Sequence, residues 1–229
     1  MSVKSKENIL VEEEGEGGEQ WVPVLQVFPK YTSMYEVVKS RDQYGTTLLH
    51  DLLQLQPQDA FVLMKPIPVS PITPVTPNTM IMPLKDHIFP FAMAWPFTIT
   101  KGTTDVNGIL AHGALLTLTD MFTSLHLMLA LLPQFLGHVS VSIQCNTVQP
   151  MREGETIVAI THVDKIGKRL LFSSVEFLSA TTSLTGLEEG ERMDVIKTAI
   201  QNQKVCANAK HVKSILAPPP TASTGEKKE

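Results

Sequence analysis

Asp120 is the only acidic residue between Gly108 and Leu132, a run that is otherwise apolar or small. A carboxylate set into such a run loses hydration and needs either a partner or a task. If the run is helical, steps of four, three and four from Gly113 reach Thr117, Asp120 and Ser124. These four small or polar residues then form one stripe on an apolar helix. A water molecule held beside Asp120 could give up its proton while attacking a carbonyl carbon. The competing reading is structural, with Asp120 bonded to a neighbouring hydroxyl or to a partner chain. No rival chemistry stands out. The seven histidines are scattered without a metal-ligand spacing, so no metal site and no cofactor are expected. There is no P-loop, no GxGxxG fingerprint and no nucleophile elbow.

The elements that must position these residues follow from periodicity and punctuation. A buried helix is expected from Gly108 to about Leu132, apolar on nearly every side. Next, Val139, Val141, Ile143 and Cys145 alternate with Ser140, Ser142, Gln144 and Asn146, which predicts a strand with one apolar face. Two β-rich runs, 156–164 and 169–180, flank Lys165-Ile-Gly-Lys168 and predict a hairpin. Residues 181–194 read as a polar insertion or long loop, and 204–216 returns to strand character. Upstream, 87–100 reads as a strand punctured by Pro90 and Pro96, which suits an edge or a bulge. A helical region is expected over 32–56, with Leu48, Leu49, Leu52 and Leu53 at helical spacing and Thr46 or Thr47 as cap. Pro66, Pro68, Pro71, Pro74 and Pro77 predict a stiff extended linker. The charged, apolar-poor ends, 1–19 and 217–229, read as disordered. The result is an α+β organisation: a tail over 1–19, a helical and proline-rich extension over 20–78, one domain over 79–216, and a second tail over 217–229.

Composition narrows the class. The 229 residues are 43% hydrophobic and 18% charged, which fits a globular core. A formal net charge of -4 argues against general nucleic-acid binding. The longest apolar region, Leu125–Leu136, is interrupted by His126, Pro133 and Gln134, so no membrane span is expected. Cys145 and Cys206 are far apart and read as free thiols in a reducing compartment, mitochondrial or cytoplasmic.

Three stretches carry a family resemblance: Asp105-Val-Asn-Gly-Ile-Leu-Ala-His-Gly113 with Asp120, then Val139-Ser-Val-Ser142 with Pro150-Met-Arg-Glu-Gly154, and Lys204-Val-Cys-Ala-Asn-Ala-Lys-His-Val-Lys213. In this order they resemble hotdog-fold acyl-CoA thioesterases of the phenylacetate-pathway type. The resemblance implies an antiparallel sheet wrapped around a central helix, and active sites at the interface of a homodimer or homotetramer. It implies hydrolysis of a fatty or aryl acyl-CoA, with Asp120 activating water or attacking the carbonyl. Ser140 would orient water or substrate, and backbone N–H groups at His112 and Gly113 would hold the carbonyl oxygen. Asp105, Asn107, Thr117 and Ser124 fall at substrate-facing positions. Lys168 and Arg169 are candidates for the CoA phosphates, with Lys165, Lys210 and Lys213 as further candidates. Aligned back from Asp120, Gly113 meets the family's second glycine, but His112 stands on the first and Ala111 on the histidine. Asp105 stands where the family has asparagine, and a second carboxylate near the site would raise an acid's pKa if both were buried. These departures, with the N-terminal extension, keep a second reading open: a catalytically inactive hotdog subunit that serves as scaffold in a larger assembly.

Overall fold

The computed structural model describes residues 20–40, 42–56, 59–64, 92–132 and 137–216. The expected tails, the proline ladder and Pro90 lie outside these residues. The long helix, α4, spans His112–Ala130. It starts later than Gly108 because that glycine turns the chain with φ +70°, a conformation that costs glycine little and other residues more. The segment before it is pinned by bridges Thr104–Leu110 and Ile109–Arg152. Leu115, Leu118, Met121, Phe122, Leu125 and Leu129 of α4 are buried in the main core, where Phe122 stacks on Trp95 with ring centroids 4.9 Å apart. By length and composition α4 could cross a membrane, but 67% of its most apolar window is buried inside the fold.

The sheet that receives α4 is antiparallel and seven-stranded. Its strands are β1 (Gln20–Pro23), β2 (Phe61–Met64), β3 (Ala92–Thr98), β4 (His138–Thr147), β5 (Thr156–Ile166), β6 (Leu170–Ala180) and β7 (Val205–Ile215). Their spatial order is β1-β2-β3-β5-β6-β7-β4. The β5–β6 hairpin forms where the sequence predicts it, around Gly167. Pro96 sits inside β3 opposite Val158 of β5. The strand tolerates it because pairing with β2 reaches only Met93 and Ala94, so Pro96 faces no second partner.

Between β1 and β2 the chain forms α1 (Val24–Val27), α2 (Tyr31–Lys39), α3 (Gln43–Thr47) and a π-helical turn (Leu48–Leu52). Tyr31, Met34, Tyr35, Leu48 and Leu49 join the same core as α4. The cap of α3 is Asp42, whose carboxylate accepts the Gly45 N–H at 2.9 Å. Thr46 and Thr47, the expected caps, lie inside the helix instead; Thr46 donates to the Asp42 carbonyl at 2.8 Å. A second correction concerns the 181–194 stretch, expected as a loop. Its C-terminal part opens α5 (Glu189–Asn202), started by a capping box between Glu188 and Glu191 and buried through Val195, Ile196 and Ala199.

Strand β4 departs from simple alternation. A bulge lies between Ser140 and Ser142, so Ser140 pairs with Lys213 while Ser142 pairs with Val212. One extra residue reverses the parity of the strand. Ser140 therefore shares the inner face with Ile143 and Cys145, whereas Val139 and Val141, expected on the buried face, are 48% and 59% exposed. Both cysteines are free thiols.

Candidate active site

Three strand residues and one helix stripe build the site. Along β7, Ala209, His211 and Lys213 alternate with exposed positions and point inward. Along α4, Asp120 and Ser124 lie one turn apart on the half-exposed side. Lys213 Nζ donates to Asp120 Oδ1 at 2.7 Å and to Ser140 Oγ at 3.2 Å. Ser140 Oγ stands 3.3 Å and Ser124 Oγ 3.0 Å from the same Oδ1. Every hydrogen bond described for this carboxylate reaches Oδ1, which leaves Oδ2 for a water or a substrate atom. His211 is fully buried; its Nε2 lies 3.0 Å from Ser140 Oγ and its Nδ1 2.7 Å from Thr123 Oγ1.

Electrostatics follow from burial and this one cation. Burial alone would raise the Asp120 carboxyl. The Lys213 charge at bonding distance, helped by His211 and Ser124, outweighs it and holds the carboxyl below its ordinary range. The pair is lopsided, because burial still draws the Lys213 ammonium down although Asp120 and Asp42 support its charge. We take both groups as charged at neutral pH, since a direct 2.7 Å bond favours the ion pair. Burial, with Lys213 nearby, pushes His211 and His138 down to about 4, so both rings are neutral at pH 7.

Asp120, Ser124, Ser140, His138, Lys213 and a second acid, Asp42, line a cavity of about 370 Å³ whose other walls are mostly apolar: Met121, Met128, Leu131 and Val139, with Val37 and Val38 from α2. A volume of this size lies at the small end of ligand pockets.

The remaining residues predicted from sequence lie elsewhere. His112 and Gly113 are exposed at the start of α4, and a side chain added at Gly113 would meet open space. The first N–H groups of a helix have no partner within it. Thr117 donates to the Gly113 carbonyl at 3.0 Å. Seven helical residues place Gly113 about 10 Å along the axis from Asp120. Asp105 is exposed and accepts the N–H groups of Asn107 at 2.8 Å and Ile109 at 3.1 Å, which hold its carboxyl below the usual range. It closes the turn before α4 and does not line the cavity, so the expected mutual raising of two buried acids does not arise. The Asn107 amide lies 3.5 Å from the same carboxylate. Lys168 and Arg169 are exposed at the β5–β6 turn, outside the cavity but next to the end of β7 that carries Lys213. Lys165 and Lys210 are also exposed. Lys213 is the exception: a phosphate-binding candidate by sequence, it is 3% exposed and committed to Asp120. His211, His138 and the two α2-side valines were not singled out by the sequence. The parity of β7 could have revealed His211, because it shares a face with Ala207 and Ala209.

Residues 107–185 match the family model of the thioesterase superfamily. No curated protein matches the chain. Among solved structures, the chain is similar to mouse thioesterase superfamily member 2, at 26% identity over 54% of this chain and 74% of that one, with a TM-score of 0.40. It is also similar to the Escherichia coli PaaI protein from the phenylacetic acid degradation operon, at 17% identity over 55% and 73%, with a TM-score of 0.40. A Streptococcus mutans protein bound to acetyl CoA is 12% identical over 55% and 82%, with a TM-score of 0.42. The matched segment contains α4, β4, β5 and β6, and so Asp120, Ser124 and Ser140, but not β7 with His211 and Lys213. Residues 107–185 are thus similar to the thioesterase superfamily, and the antiparallel sheet wrapped on a central helix is the hotdog fold.

Proposed function

We propose that the chain hydrolyses an acyl-CoA thioester with a fatty or aryl acyl group, by Asp120-assisted attack of water. The observation that carries this reading is the placement of Asp120, Ser124, Ser140 and Lys213 on one wall of an otherwise largely apolar cavity. The apolar walls suit an acyl tail, and the polar wall suits the thioester. Water at the open Oδ2 adds to the carbonyl carbon and passes a proton to the carboxylate; the C–S bond breaks and the thiolate leaves protonated. The low pKa of Asp120 makes it a weak base. Lys213 compensates by stabilising negative charge that develops beside it.

The carbonyl oxygen needs donors, and the free N–H groups of His112 and Gly113 can serve. At about 10 Å along the same helix they cannot reach a carbonyl that Asp120 attacks. A second copy of the chain would bring its own α4 start to this cavity, so the reading entails a homodimer, or a tetramer built from it. Strand β4, at the end of the sheet and with Val139 and Val141 exposed, offers an edge for that pairing. Lys168 and Arg169 would meet the CoA phosphates.

A second reading, a non-catalytic scaffold subunit, is favoured by one observation: Lys213 is bonded directly to Asp120, a structural use for the acid. A panel of acyl-CoA thioesters with free-thiol detection separates the two. Turnover that Asp120→Asn abolishes supports the hydrolase. No turnover at any chain length, with stable co-purification in a larger assembly, supports the scaffold.

A further inference from the structure

Water attack assisted by Asp120 leaves His211 without a task, although both of its ring nitrogens lie at hydrogen-bond distance from hydroxyls. Thr123 has one hydroxyl proton, and its Oγ1 donates to the Thr119 carbonyl at 2.6 Å. With that proton on the carbonyl, Thr123 accepts from His211 Nδ1, 2.7 Å away, which is the tautomer that carries the proton on Nδ1. In that tautomer Nε2 is a bare acceptor 3.0 Å from Ser140 Oγ, so the single Ser140 hydroxyl proton has two acceptors within reach, Nε2 and Asp120 Oδ1 at 3.3 Å. Lys213 Nζ lies 3.2 Å from the same oxygen on the cation side. Ser140 is exposed and lines the cavity, whereas His211 is sealed behind it.

We propose that Ser140 is a nucleophile that takes the acyl group from the thioester, with His211 as its base and Thr123 holding the ring in the required tautomer. A hydroxyl bonded to a base, and that base oriented by a third group, is the arrangement that activates serine for acyl transfer. Ser140 Oγ bonds to the carbonyl carbon while its proton moves to His211 Nε2. Asp120 Oδ1, 3.8 Å from Nε2, steadies the resulting imidazolium. The C–S bond breaks, the leaving thiolate takes the proton from Nε2, and an ester remains on Ser140. Water, held at Asp120 Oδ2, then adds to that ester, so in this scheme the Asp120-assisted attack of the proposed hydrolysis falls on the acyl-enzyme and not on the thioester itself. Its proton passes to Nε2 and on to Oγ as the C–O bond breaks, which releases the carboxylic acid and restores Ser140.

The acyl donor in this scheme rests on the thioester reading, but the nucleophile does not, so the test uses a serine-directed probe as well as a thioester. The full chain is treated with a fluorophosphonate, and separately quenched during acyl-CoA turnover, and peptides are mapped by mass spectrometry. A covalent adduct on Ser140 is expected in both arms. Ser140→Ala, a substitution at an exposed position, should remove it, and His211→Asn should slow labelling by ~100-fold. His211 is buried, so its variant is scored only if its unfolding transition is intact; Ser142→Ala, at an exposed position of β4 beyond the bulge, should retain labelling and controls for disturbance of the strand. Hydrolysis without an adduct on Ser140 overturns the serine nucleophile and leaves the thioesterase standing. Labelling of Ser140 without hydrolysis of any thioester keeps the nucleophile and rejects that substrate class. Neither label nor adduct on the folded chain overturns the proposal.

Discussion

A carboxylate and an ammonium at 2.7 Å, the second almost sealed from solvent, form a switch for the behaviour of Asp120. Lys213→Met removes the charge that holds the Asp120 carboxyl low, while the burial that raises it remains. The acid side of the pH–rate profile should therefore move to higher pH, because Asp120 would protonate earlier. Breaking a buried pair costs about 3–5 kcal/mol, but the Asp120 side chain keeps 36% of its surface exposed. Solvent screens it, and a loss of about 1–3 kcal/mol is expected in denaturant unfolding. Asp120→Asn with Lys213→Met should recover part of this loss; a double variant no more stable than Lys213→Met would show that the charges were not paired. At this scale the sequence displayed Asp120, because one acid in an apolar run is conspicuous. Lys213, a phosphate candidate by sequence because lysine near a strand end usually points to water, is instead buried against Asp120. Ser140 came into place only through the bulge, which alternation in sequence does not reveal.

At the scale of elements, the start of α4 separates stability from chemistry. A methyl group at Gly113 meets nothing within 4 Å, and no left-handed φ is required there. Gly113→Ala should fold as well as the parent or gain up to about 1 kcal/mol from helix propensity. If the Gly113 N–H holds a carbonyl oxygen, the added methyl crowds the ligand and kcat/KM for the thioester should fall roughly tenfold, about 1.4 kcal/mol. Unchanged turnover in Gly113→Ala would place the carbonyl clamp elsewhere. At Gly108 the φ of +70° reverses the expectation: Ala there should destabilise by about 1 kcal/mol or more with no ligand present. Helix α4 and the β5–β6 hairpin were legible because their periodicity is long and uninterrupted. Helix α5 was not, because Gly186, Gly190 and acidic residues surround its start, and only Val195, Ile196 and Ala199 mark its buried face.

For the whole molecule, the extension is part of the fold: β1 and β2 continue the sheet beyond β3, and α2 packs into the core that holds α4. Strands of four residues, Gln20–Pro23 and Phe61–Met64, are too short to show a period, so this joining is not legible in the residues alone. The fold buries the imidazoles of His126 and His211 and partly buries that of His138. Burial lowers His126 to about 3, and His211 and His138 to about 4. An unfolded chain protonates all three near pH 6.5. Between that value and about pH 4 the unfolded state binds up to three protons that the folded state refuses, so stability rises with pH across this window and is lost on acidification. Each imidazole contributes a slope of roughly 1.4 kcal/mol per pH unit there. The depressed Asp120 carboxyl acts only at lower pH, since its unfolded value lies near 3.9. Urea unfolding at pH 7.5 and pH 5 should therefore differ by several kcal/mol. His126→Asn, which can still bond Thr161 but cannot titrate, should reduce the pH dependence by about a third. A urea midpoint that stays constant from pH 7.5 to 5 would mean that these rings are not held neutral by the fold.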